Sequence, residues 1–221
     1  MREGLRVVQE HLARLEPLGI TGAWLHGSLA LGGYHHGISD QDLVVGLSHS
    51  LTGPERALVA RSHAEAGPLL SAAYVVERDD PARVHPTWTH GWSGERRLSL
   101  ITRAELHQAH PQDWPEVPDL PGVVAREVTR VWRRELRVPA TWLRTEYVDL
   151  SLTSLVRALL TQETGRLTGK DEAIAQMARW VPQRLSRGVA ARRAGQSAPE
   201  YPLVLQAWQA RQTVRRLLGE L

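Results

Sequence analysis

Leu25-His26-Gly27-Ser28-Leu29-Ala30-Leu31-Gly32-Gly33-Tyr34-His35-His36-Gly37-Ile38-Ser39-Asp40-Gln41-Asp42-Leu43 is the stretch whose reading decides the fold of this 221-residue chain. It reads as a strand, a tight Gly-Ser turn, a short helix, a glycine-rich loop, and a second strand that opens Asp-x-Asp. Residues i and i+2 of a strand share a face, so the carboxylates of Asp40 and Asp42 converge on one side. Set against the apolar Leu43-Val44-Val45 run, two acids repel each other unless a cation joins them. Mg²⁺, held by a couple of carboxylates and by phosphate oxygens, suits such a pair. Gly27 lets the backbone approach a ligand closely, and Ser28 is placed to cap the helix and to offer its hydroxyl and N–H to phosphate.

Upstream, Val8, Leu12 and Leu15 fall at helical spacing over 7–15, and Gly19 ends that helix. The apolar run 22–25 is of strand length, 40–47 is the second strand, 54–65 is a helix with Pro54 in its first turn, and 69–77 is a third strand. Strands alternate with helices to about residue 108, which predicts a layered α/β unit with a small mixed sheet. Four prolines, at 111, 115, 118 and 121, mark 109–122 as a domain boundary or a linker, semi-rigid because of its prolines. Beyond it only helical patterns appear, over 123–137, 147–163, 170–180 and 203–218, so 123–221 is expected to be an all-α bundle. The fold class is α+β: an N-terminal α/β domain over 1–108 followed by helices.

Composition excludes several classes. No Cys is present, which removes disulfide scaffolds, thiol catalysis and thiolate metal sites. No apolar run approaches the roughly 18 residues of a membrane span, and Met1-Arg2-Glu3-Gly4 lacks a signal-peptide core, so a cytoplasmic protein is expected. The net charge of +3 falls far short of the basic stripe of a nucleic-acid binder. Phe is absent while Trp occurs eight times, so Trp must supply most aromatic packing. The basic residues are all Arg except Lys170, which reads either as an ordinary surface residue or as a compact ammonium with a task a guanidinium cannot perform.

Gly27-Ser28, an eleven-residue spacer and Asp40-x-Asp42 together resemble the signature of the polymerase-β-like nucleotidyltransferase superfamily. Tyr147-Val148-Asp149-Leu150-Ser151-Leu152, Arg157-Ala158-Leu159, Thr164-Gly165-Arg166-Leu167 and Lys170-Asp171-Glu172-Ala173 resemble the helical domain of the aminoglycoside adenylyltransferases, the streptomycin/spectinomycin branch in particular. The resemblance implies a catalytic domain over 1–108 and a substrate- and nucleotide-binding domain over 123–221, with ATP and the drug bound between them. It also implies Mg²⁺ on Asp40 and Asp42, nucleotide contacts from Gly27, Ser28 and Lys170, and transfer of AMP from ATP to a hydroxyl of a small molecule. A monomer is expected, with no membrane or nucleic-acid partner.

The chain departs from that family at one place. The family's third acid lies near the start of the strand over 69–77, where this sequence has Ser71. Glu77 has the same parity and is the candidate third catalytic acid, yet six residues of strand separate the two by about 20 Å. A base from another segment, slow turnover, or nucleotide binding without transfer are the readings left open. A protein hydroxyl as acceptor is a further alternative, although the known antitoxin-like enzymes are minimal single domains. Trp88 and Trp92, in the aromatic stretch 85–92, are candidates for stacking on a base or sugar or for plain packing, and Arg96 and Arg97 follow on an expected edge strand. Glu146 and Asp149 are candidate contacts for a cationic substrate, and equally are favourable charges at a helix N-terminus. His26, His35 and His36 flank the glycine-rich loop and read as phosphate or substrate contacts rather than metal ligands. The arginine run 184–193 reads as a solvated helix face.

Overall fold

The computed structural model describes residues 2–76, 83–87 and 96–221, which form two compact units, Met1–Glu116 and Val117–Leu221. The first unit carries the sheet. Helix α1 (Arg2–Arg14) leads through a 3₁₀ turn to β1 (Ile20–His26), followed by the single turn α2 (Gly27–Ala30) and β2 (Gln41–Leu47). Then come α3 (Gly53–Ala66), β3 (Leu70–Val76), β4 (Arg83–Thr87), β5 (Arg96–Arg97) and α4 (Leu100–Ala109). The five strands lie in sequence order; only β2 and β3 are parallel, the other neighbours being antiparallel. A mixed sheet is thus present as expected, and Arg96–Arg97 form its edge strand.

β2 lies inside the sheet and is buried on both faces, which is why Leu43-Val44-Val45 reads as a continuous apolar run rather than an alternating one. Leu43, Val45, Leu70 and Tyr74 face Val8, Leu15, Leu18 and Val59 of the first and third helices and their flanks. Val44 and Val75 face the other way, onto Leu98, Leu106 and Trp114, where Trp24 meets Trp114 edge-on at 5.4 Å. β2 and β3 therefore divide their odd and even residues between two cores.

α3 starts on a reciprocal cap. The Glu55 carboxylate accepts from the Thr52 N–H and hydroxyl, both at 2.7 Å, and from His49 at 3.0 Å. The Thr52 backbone and hydroxyl, then His49, hold the Glu55 carboxyl at about 2, below its ordinary 4.5. This contribution is present above pH 4.5 and is lost as pH falls toward 2. Glu55→Ala is accordingly expected to lower the urea midpoint at pH 7, with the deficit closing as the titration is repeated toward pH 2.

The proline-rich stretch does not run free. His110 Nε2 is 2.7 Å from the Leu25 carbonyl, His107 Nδ1 is 2.7 Å from the Trp114 carbonyl, and Trp24 Nε1 donates to Asp113 at 3.0 Å. Residues 110–116 thereby belong to the first unit. Asp119, held at φ 50° with its carboxylate accepting from Gly122 N–H, opens α5 (Leu120–Glu135), so Pro121 sits inside a first helical turn.

The second unit contains only helices. α5 is followed by a 3₁₀ turn at Pro139–Leu143, α6 (Thr145–Thr164), α7 (Lys170–Gln176), α8 (Gln183–Arg193) and α9 (Leu203–Glu220). α6 is the central helix, with Val148, Leu152, Leu155, Val156, Ala158 and Leu160 all 1 % exposed or less. Trp132, Trp142 and Tyr147 pack with their rings 5.3–6.2 Å apart, which bears out Trp as the principal aromatic of this core. Trp208 is the exception, 61 % exposed on α9. The expected solvated arginine face on α8 holds for Arg184 and Arg187, both exposed, but not for the arginines at its end. Arg192 grips Asp149 through two bonds of 2.7 and 2.6 Å, Arg193 binds Asp171 at 2.8 Å, and Arg184 stacks on Tyr201. The opposite face of the helix buries Leu185, Ser186, Gly188 and Val189.

Candidate active site

β1 ends at His26, and the chain turns at once into α2. Gly27 makes the turn possible, with φ at +61°, and a Cβ built there would lie 2.3 Å from Asp42 Oδ2. Glycine is required twice over, by its backbone angle and by the carboxylate pressed against it. Ser28 is the second residue of α2 and half-buried, whereas the N-cap position belongs to His26. The capping role expected for Ser28 is therefore corrected: a turn this short closes with Leu31 N–H on the Gly27 carbonyl and Gly33 N–H on the Ser28 carbonyl.

The glycine-rich loop is tied at its end. The fully buried Ser39 accepts from His35 N–H at 3.0 Å and returns a bond from its own N–H to the His35 carbonyl. His36 is exposed. Asp40 stands one residue ahead of β2 and is exposed, while Asp42 is the second residue of the strand and half-buried. Among the described residues no group of three or more acidic or histidine side chains is placed to hold a metal ion.

Register defines what surrounds Asp42. Its antiparallel partner is His26 and its parallel partner is Ser71. Paired residues of neighbouring strands share a face, so His26, Asp42 and Ser71 form one row across the sheet, on the side that carries Trp24, Val44, Val75 and α4. Ser71 is exposed. From α4, Glu105 places Oε2 3.1 Å from His26 Nδ1, with the His26 and Glu105 side chains 14 % and 11 % exposed. Sequence reading considered His26 but passed over Glu105, since the two lie 79 residues apart and no local pattern links them.

The other candidates are distributed as follows. Glu77, Trp88 and Trp92 lie outside the described residues. Lys170 is the first residue of α7 and half-buried, behind Gly169. Nearby, Arg157 Nε donates to the Thr168 carbonyl at 2.7 Å. Glu146 is exposed in the first turn of α6, and Asp149 is engaged by Arg192. No helix among the described residues is long and apolar enough to cross a membrane.

No family model matches the chain, and no curated protein matches it. A solved structure does: spectinomycin adenyltransferase AAD(9) from Enterococcus faecialis, with ATP and spectinomycin, at a TM-score of 0.66 and 14 % identity. The match covers 97 % of this chain and 99 % of that one. The chain thus shares the fold of that adenyltransferase, α+β with a helical part.

Proposed function

We propose that this protein is a Mg²⁺-dependent nucleotidyltransferase that moves AMP from ATP to a hydroxyl of a small molecule. The observation that carries the reading is the seating of Asp42 against Gly27, inside a fold shared with an ATP-bound adenyltransferase. A turn that only a glycine can make, closed on a carboxylate, is the kind of cradle a phosphate-bound cation needs. Asp40 and Asp42 are the carboxylates that would hold Mg²⁺, an ion that neutralises charge on phosphate oxygens when bound.

The chain's own groups do the rest by positioning. Gly27 and Ser28 present backbone and hydroxyl to the triphosphate. Glu146 is the exposed acid of the two substrate candidates; Asp149 already has its charge met by Arg192. The acceptor class is drawn from spectinomycin, held in the solved structure of the similar fold. A second reading, nucleotide binding without transfer, is favoured by one feature: the strand position beside Asp42 is a serine, not an acid.

Titration calorimetry with ATP and MgCl₂ tests the site. The wild type is expected to bind ATP only with the metal, and Asp40→Asn/Asp42→Asn to weaken binding at least tenfold. Equal binding by both proteins sinks the proposal. Pyrophosphate release in the presence of spectinomycin or streptomycin then separates transfer from mere binding.

A further inference from the structure

We propose that His26, held in place by Glu105, is the proton acceptor for the transferred hydroxyl, doing the work that the strand position at Ser71 cannot. The inference rests on the nucleotidyltransferase reading above. Asp42 has two register neighbours on its face, His26 and Ser71. A serine hydroxyl takes no proton near neutrality, whereas an imidazole does. Of the two, only the histidine can serve as a base.

The surroundings of His26 fit that task. Its Nδ1 meets Glu105 Oε2 at 3.1 Å. A carboxylate on Nδ1 selects the tautomer with the proton on that nitrogen and leaves the Nε2 lone pair to accept one. Among the described residues Nε2 has no hydrogen-bond partner. Glu105 is a positioning residue. It is 8 % exposed, and a carboxylate so buried is costly unless it is paired. α4 thereby delivers the carboxylate of a Glu–His pair to the edge of the Asp42 row, the same logic by which an acid orients a catalytic histidine elsewhere.

The step balances as follows. The acceptor's O–H proton passes to His26 Nε2, and the acceptor oxygen forms a bond to the α-phosphorus of ATP. The bond from that phosphorus to the oxygen bridging to the β-phosphate breaks, and pyrophosphate carries away the electron pair. The proton on His26 then returns to solvent.

The test uses the full chain with ATP and MgCl₂, with spectinomycin, streptomycin or water as the acceptor, and pyrophosphate release as readout. His26→Gln is expected to lower kcat at least 100-fold, within the range a positioned base supplies, while the ATP dissociation constant moves less than threefold. Glu105→Gln is expected to lower kcat about tenfold, by loosening the ring rather than removing it. The deciding variant is Ser71→Glu. Placed on the other side of Asp42 it supplies a new carboxylate, so Ser71→Glu/His26→Gln is expected to recover at least tenfold over His26→Gln. A purely structural role for His26 predicts no such recovery, and its absence overturns the inference, as does full activity in His26→Gln. A wild type that binds ATP yet releases no more pyrophosphate than Asp42→Asn overturns the transfer reading itself, a separate result.

Discussion

Gly27→Ala is expected to abolish Mg²⁺-dependent ATP binding to the level of Asp42→Asn and to lower stability as well. Two costs combine at this position. An alanine held at φ +61° is strained by about 1–2 kcal/mol. Its Cβ also falls 2.3 Å from Asp42 Oδ2, far inside any contact distance, so the carboxylate must swing away or β1 and β2 must part. The first cost is felt in unfolding, the second in binding. Gly32→Ala separates them: it has φ +84° with nothing within 4 Å of the new methyl, so it should lose stability by a similar strain and keep ATP affinity. A double-mutant cycle of Gly27→Ala with Asp42→Ala completes the argument. Removing the carboxylate should relieve the clash and give a coupling energy of about 1–3 kcal/mol in urea unfolding. Wild-type ATP affinity in Gly27→Ala, or additive costs in the cycle, would show that Asp42 is not seated against this turn.

The features legible in the sequence are those whose cause is local. The period of two that puts alternate residues of β2 on opposite faces, the Gly-Ser turn and the proline-initiated α3 all depend on neighbours a few residues away. The rest has distant causes. The four prolines between 109 and 122 bracket the division after Glu116, but they do not announce that Trp114 in their midst is 7 % exposed, with its partner Trp24 in β1. The arginines at 192 and 193 look solvated, but their acids, Asp149 and Asp171, sit 43 and 22 residues earlier on α6 and α7. Asp40 proved to stand one residue ahead of its strand, a boundary shift that alternation alone does not resolve. The His26–Glu105 pair belongs to the same class: neither residue has a neighbour in the chain that announces the other.

Acid is expected to unfold this protein earlier than its carboxylates alone would require. Between α1, α3 and β3 lies a closed polar cluster: Ser62 Oγ to His11 Nδ1 at 2.7 Å, His11 Nε2 to Tyr74 Oη at 2.7 Å, and Tyr74 Oη to His63 Nε2 at 3.3 Å. The two imidazoles lie 4.6 Å apart and are 0 % and 7 % exposed. Burial, and for His11 the second ring as well, pushes both down to about 4 from an ordinary 6.5. The unfolded chain therefore binds protons between pH 6.5 and 4 that the native state refuses, so stability is full above 6.5 and falls as pH drops through that window. Each ring accounts for up to about 3 kcal/mol, and the pair for less than twice that, since their titrations are coupled. Against a typical domain stability of roughly 5–15 kcal/mol that loss is large. Urea unfolding at pH 7.5, 6.5, 5.5 and 4.5 measures it. In His63→Leu the slope between pH 6.5 and 4.5 should fall by about half, while Tyr74 Oη keeps its 2.7 Å partner His11. A wild type equally stable at pH 7.5 and 4.5, or an unchanged slope in His63→Leu, would mean that these rings take up protons inside the native core.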